Sequence, residues 1–275
     1  MKKTIFIFLV LFQVFHLNAQ KRAELQDSVY QSYYKGDYDS TLKYLTKIIV
    51  LFPKDSAAYN DRGFIKVELK KYKEAINDFT FQIKINPFFA DSYFFRAMAK
   101  DKINDYKGAI LDYNKTIQYE PNNSDAYYFR GLDFYKLNNK KEALRNYSLA
   151  IKKRADNANA YADRGLLFAE LKEYSIGLKD CNTAIQIDST NEKAYCNRSH
   201  IYTKLKLFKK AILDMDKAIQ LHPTKASYYL IKATLLNSCN ENGCSSIKNY
   251  LELGGNRNKI PKKIHCNIHS KLENE

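Results

Sequence analysis

SDAYYFRGLDFYKLNNKKEALRNYSLAIKKRADN, residues 124–157, decides how this chain folds. Its Tyr127 returns at one fixed interval, as Tyr59, Tyr93, Tyr161, Tyr195 and Tyr229. Three residues after each tyrosine stands a cation: Arg62, Arg96, Arg130, Arg164, Arg198 and Lys232. The next residue is always small, namely Gly63, Ala97, Gly131, Gly165, Ser199 or Ala233. Thirteen residues after the arginines come Ala75, Ala109, Ala143, Gly177 and Ala211. Four further on are Phe79, Tyr113, Tyr147, Cys181 and Met215. A period this strict means one structural unit copied end to end. Each unit then touches mainly its neighbours, which argues against a compact enzyme built around one central pocket.

Between these markers the apolar residues keep helical spacing. Leu69, Tyr72, Ile76, Phe79 and Ile83 are separated by steps of three, four, three and four, the stripe of an amphipathic helix. Each unit reads as two helices joined by a short polar turn such as Lys70-Lys71, Asn104-Asp105 or Asn138-Asn139. Ser56, Asp91, Ser124, Asn157 and Asn191 are the expected N-caps of the first helices. Glycine inside a helix costs about 0.8–1 kcal/mol relative to alanine. Gly63, Gly131 and Gly165 therefore imply a close backbone approach.

At this point the chain resembles the tetratricopeptide repeats. Tyr127, Gly131, Phe134, Ala143 and Tyr147 match that family's 34-residue pattern within one copy, with tyrosine in place of the family's tryptophan. Pro87, Pro121 and Pro223 close three copies, and Pro53 an earlier, looser one. The resemblance implies an all-α fold, a right-handed α-solenoid of about seven helix-turn-helix repeats. Their expected bounds are 22–55 (divergent, with Leu25 and Ser28 at the tyrosine and arginine positions), 56–89, 90–123, 124–157, 158–191, 192–225 and 226–255, the last with a shortened inter-helix turn. A capping tail, 256–275, follows. The fourth and fifth copies end on Ala155 and Ser189 instead of proline. Atypical end copies are expected of a stacked array whose ends face water.

Residues 1–19 read as an export signal: Lys2-Lys3, an uncharged run from Ile5 to Phe15, and Leu17-Asn18-Ala19 before the expected cut. The apolar run is too short to cross a bilayer, so no membrane insertion is expected after cleavage. The expected location is the periplasm or the exterior. The chain carries a formal charge of +15, with 45 Lys and Arg against 30 Asp and Glu; without Lys2 and Lys3 that becomes 43 against 30, or +13. Such a charge favours anionic partners, acidic proteins included. Apart from a modest cluster at Lys259, Lys262 and Lys263 the cations are scattered, which is the pattern of a solvated face. A nucleic-acid partner is not expected.

All five cysteines, Cys181, Cys196, Cys239, Cys244 and Cys266, fall in the last third. By similarity to exported repeat proteins whose final helix is stapled, the layout implies a Cys244–Cys266 disulfide with Cys266 in a short terminal helix. Cys181–Cys196 and Cys239–Cys244 remain alternatives, and an odd count leaves at least one thiol otherwise occupied.

The sequence carries no catalytic constellation. His265, Cys266 and His269 fit no metal-ligand spacing. His200 and His222 have no recurring nucleophile beside them. No phosphate loop or nucleotide fingerprint is present, so no cofactor is expected. Enzymatic helical-repeat proteins rich in cysteine place a cysteine pair in every repeat, which this chain does not. Sixteen residues after the arginines stand Asp78, Asp112, Asp180 and Asp214, with Asn146 in the middle copy. Company repeated that regularly is an inter-helix ion pair setting register.

The resemblance also implies a groove lined by the first helices. Carried over, its positions are Asn60, Phe64, Phe94, Met98, Asp101, Tyr128, Leu132 and Tyr135, continuing through Ala162, Leu166, Cys196, His200 and Lys204. Phe94, Met98, Tyr128, Leu132 and Tyr135 would form an aromatic wall open to a partner or covered by its own neighbours. The expected function is a non-enzymatic protein-binding scaffold holding an extended peptide or helix; a module for an envelope glycan or anionic lipid is the alternative. The family's carboxylate clamp for peptide C-termini is matched in no copy.

Overall fold

The computed structural model describes residues 2–264 and Cys266, excepting the side chains of residues 2–12 and 14. Among the described residues lie fourteen α-helices, one short 3-10 turn at Arg257–Lys259, and no strand. The chain divides into two compact halves, residues 1–138 and 139–275. The first holds α1 (Lys2–Tyr34), α2 (Tyr38–Leu51), α3 (Ser56–Glu68), α4 (Tyr72–Ile85), α5 (Ala90–Lys102), α6 (Tyr106–Tyr119) and α7 (Ser124–Lys136). The second holds α8 (Lys140–Lys153), α9 (Ala158–Glu170), α10 (Tyr174–Ile187), α11 (Glu192–Lys204), α12 (Phe208–Leu221), α13 (Ala226–Ser238) and α14 (Cys244–Glu252). Within each half, helix hairpins pack one on the next, the α-solenoid arrangement.

Small clusters follow one another: Leu45, Ile48, Ala58 and Ile65; then Ala75, Phe79 and Ala99; then Ala97, Ala109, Tyr113 and Ala126. The second half continues with Ala162, Ala184 and Ala194, with Ala169, Cys181 and Ile201, and with Ala211, Met215 and Leu235. Each cluster joins one hairpin to its neighbour, as expected of a stack whose contacts are local.

Small residues bring the helices together, by two routes. A Cβ on Gly165 would lie 2.9 Å from the Gly177 carbonyl oxygen, and one on Gly177 would lie 2.7 Å from that of Gly165, so these two backbones touch. At Gly63 the expectation of a backbone neighbour is corrected. The Phe79 ring fills that space, 2.8 Å from where a Cβ would stand.

The hairpin turns repeat in step with the tyrosines. Gly36, Lys70, Asn104, Asn138, Lys172, Lys206 and Asn240 all adopt positive φ, between 58° and 72°. Lys71 N–H donates to the Lys66 carbonyl at 2.8 Å and Leu207 N–H to that of Tyr202 at 2.8 Å, the Schellman closure of a helix end. A left-handed conformation costs a non-glycine residue about 1–2 kcal/mol. Six of these seven positions nonetheless hold lysine or asparagine.

Several local expectations are corrected. Asn157 and Asn191 do cap α9 and α11, accepting from Ala160 and Ala194 N–H. Ser56 and Ser124 stand one residue too late. Asp55 and Asn123 are the caps, their side chains accepting from Ala58 and Ala126 N–H inside the first turn. Asp91 caps nothing; α5 begins after Phe89 with no side-chain cap. The seventh turn is longer, not shorter: five residues (239–243) separate α13 from α14, whereas three (205–207) separate α11 from α12. What shortens is α14, at 9 residues against 14 in α12. Cys266 lies outside any helix.

α1 runs unbroken from Lys2. Its side chains from Phe15 to Lys21 are exposed, and its packing begins at Arg22, which donates to Asp55 at 2.8 Å. No described helix is long and apolar enough to cross a membrane.

Candidate functional site

The recurring arginines are occupied structurally. Arg62 donates Nε and Nη2 to Asp78 at 3.0 and 2.6 Å. Arg96 does the same to Asp112 at 2.8 and 2.7 Å, Arg164 to Asp180 at 2.7 and 2.9 Å, and Arg198 to Asp214 at 2.8 and 2.6 Å. Nη1 turns the other way, to a residue sixteen positions earlier on the preceding hairpin. Arg62 meets Thr46 at 3.2 Å, Arg96 meets Thr80 at 3.0 Å, and Arg130 meets Asn114 at 2.6 Å. Arg164 meets Ser148 at 3.2 Å and Arg198 meets Asn182 at 2.7 Å.

Beneath each guanidinium lies the ring of the tyrosine three residues before, 5.3–5.7 Å to the centroid. The tyrosine hydroxyl closes the inter-repeat turn: Tyr93 donates to the Pro87 carbonyl at 3.0 Å, and Tyr195 to that of Ser189 at 3.4 Å. Because the acceptor is a backbone carbonyl, Ser189 serves where proline was expected. At the last joint the charges are exchanged. Lys232 replaces arginine and pairs with Asp216, 2.6 Å away and sixteen residues earlier.

The expected aromatic wall is folded on itself. The Phe94 ring meets those of Phe95, Tyr113 and Phe129 at 5.6, 5.8 and 5.8 Å. Met98 packs in the same cluster. Tyr128 is only 5% exposed, edge-on to Phe129 at 5.1 Å. Leu132 and Tyr135 are half-buried, and Asp101 is bonded by Lys136.

Open space lies elsewhere on the first helices. In the first half a cleft of about 240 Å³ between α1 and α3 takes in Asn60 and Phe64 together with Tyr30, Tyr33 and Asp61. In the second, a cleft of about 290 Å³ is lined by Leu166 on α9, Cys196, His200 and Thr203 on α11, and Ile231 and Leu235 on α13. Tyr30 and Tyr33 escaped sequence reasoning because the first copy lacks the marker residues. Ile231 escaped because α13 carries lysine where the others carry arginine. Its register, one full period after Asn197 of the same cleft, was the available signal.

Burial pushes the Cys196 thiol up, and burial with Lys204 pushes His200 down, leaving a thiol and a neutral imidazole in the second cleft. Burial also raises Cys181 to about 12. Cys181, Cys196 and Cys239 are free thiols, and the Cα atoms of Cys244 and Cys266 stand 5.4 Å apart, within disulfide reach. His265 and His269 lie outside the described residues. Among the described residues no group of three or more His, Cys, Asp or Glu side chains could hold a metal.

Asp133 is anomalous. It sits at a position that holds Ile65, Ala99, Leu167, Ile201 and Leu235 in other repeats, all buried. Its side chain is 1% exposed, its Oδ2 has no hydrogen-bond partner, and Lys136 stands 3.6 Å from its Oδ1. Burial, and then the neighbouring Asp101, push its carboxyl up to about 8.

Two tetratricopeptide-repeat family models match the chain, one at residues 90–123 and 192–225 and the other at 130–192. No curated protein matches it. Among solved structures the chain is similar to a tetratricopeptide repeat protein from Parabacteroides merdae, with TM-score 0.74, 20% identity, and 89% of this chain and 98% of that one covered. It is similar to a chain of the APC/C Cut9-Hcn1 hetero-tetramer, with TM-score 0.70, 14% identity, and 82% and 45% covered. It is also similar to YrrB, described as a TPR protein with an unusual peptide-binding site, with TM-score 0.53, 20% identity, and 68% and 97% covered. At these identities the likeness concerns the fold.

Proposed function

This chain is a tetratricopeptide-repeat protein, and from that premise we propose that it is a non-enzymatic scaffold holding an extended peptide or helix of a partner protein against its first helices. The observation that carries this reading is the cleft on α9, α11 and α13. Three successive first helices line one opening, with Leu166, Ile231 and Leu235 as its apolar walls, and Ile231 there is 39% exposed. YrrB's peptide site, in a protein of the same fold, supports a similar use here. Apolar side chains at helical or extended spacing would supply affinity, and the positive charge of the chain would speed encounter with acidic partners.

The test is capture of partners from an envelope extract. Ile231→Glu is expected to lower recovery tenfold or more. Leu213→Glu, which adds the same charge at an exposed position on α12 outside the cleft, should leave it unchanged. Equal recovery by wild type and Ile231→Glu refutes the reading. Phe94 and Tyr128 are unsuitable probes because both pack internally.

We also propose export, with cleavage after Ala19. The described side chains removed by that cut are exposed, so the packed part of α1 is left whole. In an oxidising compartment the Cys244–Cys266 pair would persist as a disulfide. One intact-mass measurement on envelope protein reads both proposals: a chain beginning at Gln20 and two hydrogens lighter than its reduced form. With a sequence separation of 22 between the cysteines, Cys266→Ser should lower stability by about 3 kcal/mol in a denaturant melt.

A further inference from the structure

The scaffold reading leaves open what chemistry the bound segment presents, and the inference below rests on that reading. In the second half, Asp163 on α9 and Lys193 on α11 form an ion pair, Oδ2 to Nζ 3.1 Å. Moved back three full periods, these positions become Asp61 on α3 and Asp91 on α5. The first half therefore keeps the acid of this rung and replaces the cation with a second acid.

Neither Asp61 nor Asp91 belongs to an ion pair among the described residues, and Arg22, whose field reaches Asp61, is engaged elsewhere, as are cations on the same helices as the two acids. Arg22 on α1 is held by Asp55 at 2.8 Å and Gln26 at 2.7 Å. Lys66 on α3 is held by Asp78 at 2.8 Å, and Arg96 on α5 by Asp112 at 2.7 Å. Burial pushes both carboxyls above their ordinary range, and Glu120 adds to the effect on Asp91. At Asp61 the field of Arg22 and a hydrogen bond from Asn60 oppose burial without overcoming it. An acid removed from water without a counter-charge is costly. The second half shows how this chain meets that cost, with a lysine.

Asp61 lines the α1–α3 cleft, whose other walls include Tyr30, Tyr33, Phe64 and Leu45. The two tyrosine rings are exposed at 52% and 38%. A carboxylate among aromatic rings attracts a cation twice, by ion pairing and through the ring faces. The apolar walls suit the methylene stem of a long cationic side chain. We infer that this cleft receives a lysine or arginine side chain of the partner's peptide, with Asp61 as its counter-charge and Tyr30, Tyr33 and Phe64 against its stem. The segment bound here thus presents an isolated cation on an apolar background, although the chain as a whole is basic.

The test uses the full chain and capped, fluorescent octapeptide pools, degenerate except for a central lysine, arginine, norleucine or glutamate. In anisotropy titrations the lysine and arginine pools should bind at least tenfold more tightly than norleucine, and glutamate weakest. Asp61→Asn keeps the shape and should erase the preference. Asp91→Lys recreates the rung of the second half; it should also erase the preference, and it should raise Tm because a resident lysine now neutralises Asp61. Equal binding of the lysine and norleucine pools, or an unchanged preference in Asp61→Asn, overturns the inference. If Ile231→Glu still abolishes peptide binding in that case, the scaffold reading survives; if it does not, that reading fails separately. No binding of any pool overturns the inference, and so does wild-type dimerisation that Asp61→Asn abolishes, which would assign the cleft to a second copy.

Discussion

Asp133→Leu should make this protein more stable, by about 1–4 kcal/mol near neutral pH, the range seen when buried ionic groups give way to packed apolar ones. Leucine is what this chain itself places at the equivalent positions 167 and 235, where it is buried. The accompanying pH dependence is the sharper signature. In the folded protein the Asp133 carboxyl is raised from 3.8 to about 8. Between those values the folded state holds a proton that the unfolded state has released, so the slope of unfolding free energy against pH is negative there. This group's contribution is thus most favourable below pH 4 and is lost as pH rises towards 8. Lys136 and Asp101 face the same carboxyl and remain in the variant. Urea melts of wild type and variant from pH 4.5 to 8.5 should converge at the acid end and diverge towards the alkaline end. Asp133→Asn should flatten the slope as well, which separates loss of charge from gain of packing. Parallel curves would mean that Asp133 is ionised at no cost in the fold.

Asp180→Ala should have the opposite sign and a comparable size. Asp180 takes both donors of the Arg164 fork and is itself nearly buried. Truncating it leaves a guanidinium between two hairpins with Ser148, on the opposite side, as its remaining polar partner and the Tyr161 ring beneath. Breaking a buried pair by removing one member costs about 3–5 kcal/mol. Since Arg164 joins consecutive hairpins, the loss should appear in hydrogen exchange as earlier opening of α9 and α10, ahead of α12. Arg164→Leu combined with Asp180→Leu should recover much of the loss, because the cost lies in the orphaned charge. A double variant no better than Asp180→Ala would mean that the pair itself supplies the stability.

The architecture was legible because it is periodic: a tyrosine, a cation and a small residue recurring without a slip leave little else for the chain to be. The arginine–aspartate pair was legible for the same reason. Its second contact was present too, as Thr46, Thr80, Asn114, Ser148 and Asn182, but unlike side chains performing one task do not announce a repeat. Caps were misplaced by one residue because Asp55 and Asn123 precede serines that cap equally well in principle. The open surface was the least legible part. Register names the face on which Phe94 and Tyr128 lie, yet whether that face is open depends on the size of its neighbours. Phe95, Tyr113 and Phe129 happen to be rings. At the corresponding positions of later repeats stand Asp163, Asn197 and Cys181, and there a cleft remains.

The exchange of charge between Lys232 and Asp216 bears on how such a protein changes length. Internal joints all set a guanidinium against a neutral hydroxyl or amide. A duplicated fifth repeat placed before the sixth would find Asn182 where Arg198 needs it, and recombination there goes unpunished. The same duplication placed after the sixth would strand Lys232 opposite Asn182 and set an incoming arginine on Asp216. Growth from within is thus permitted, while the terminal segment stays wedded to one predecessor.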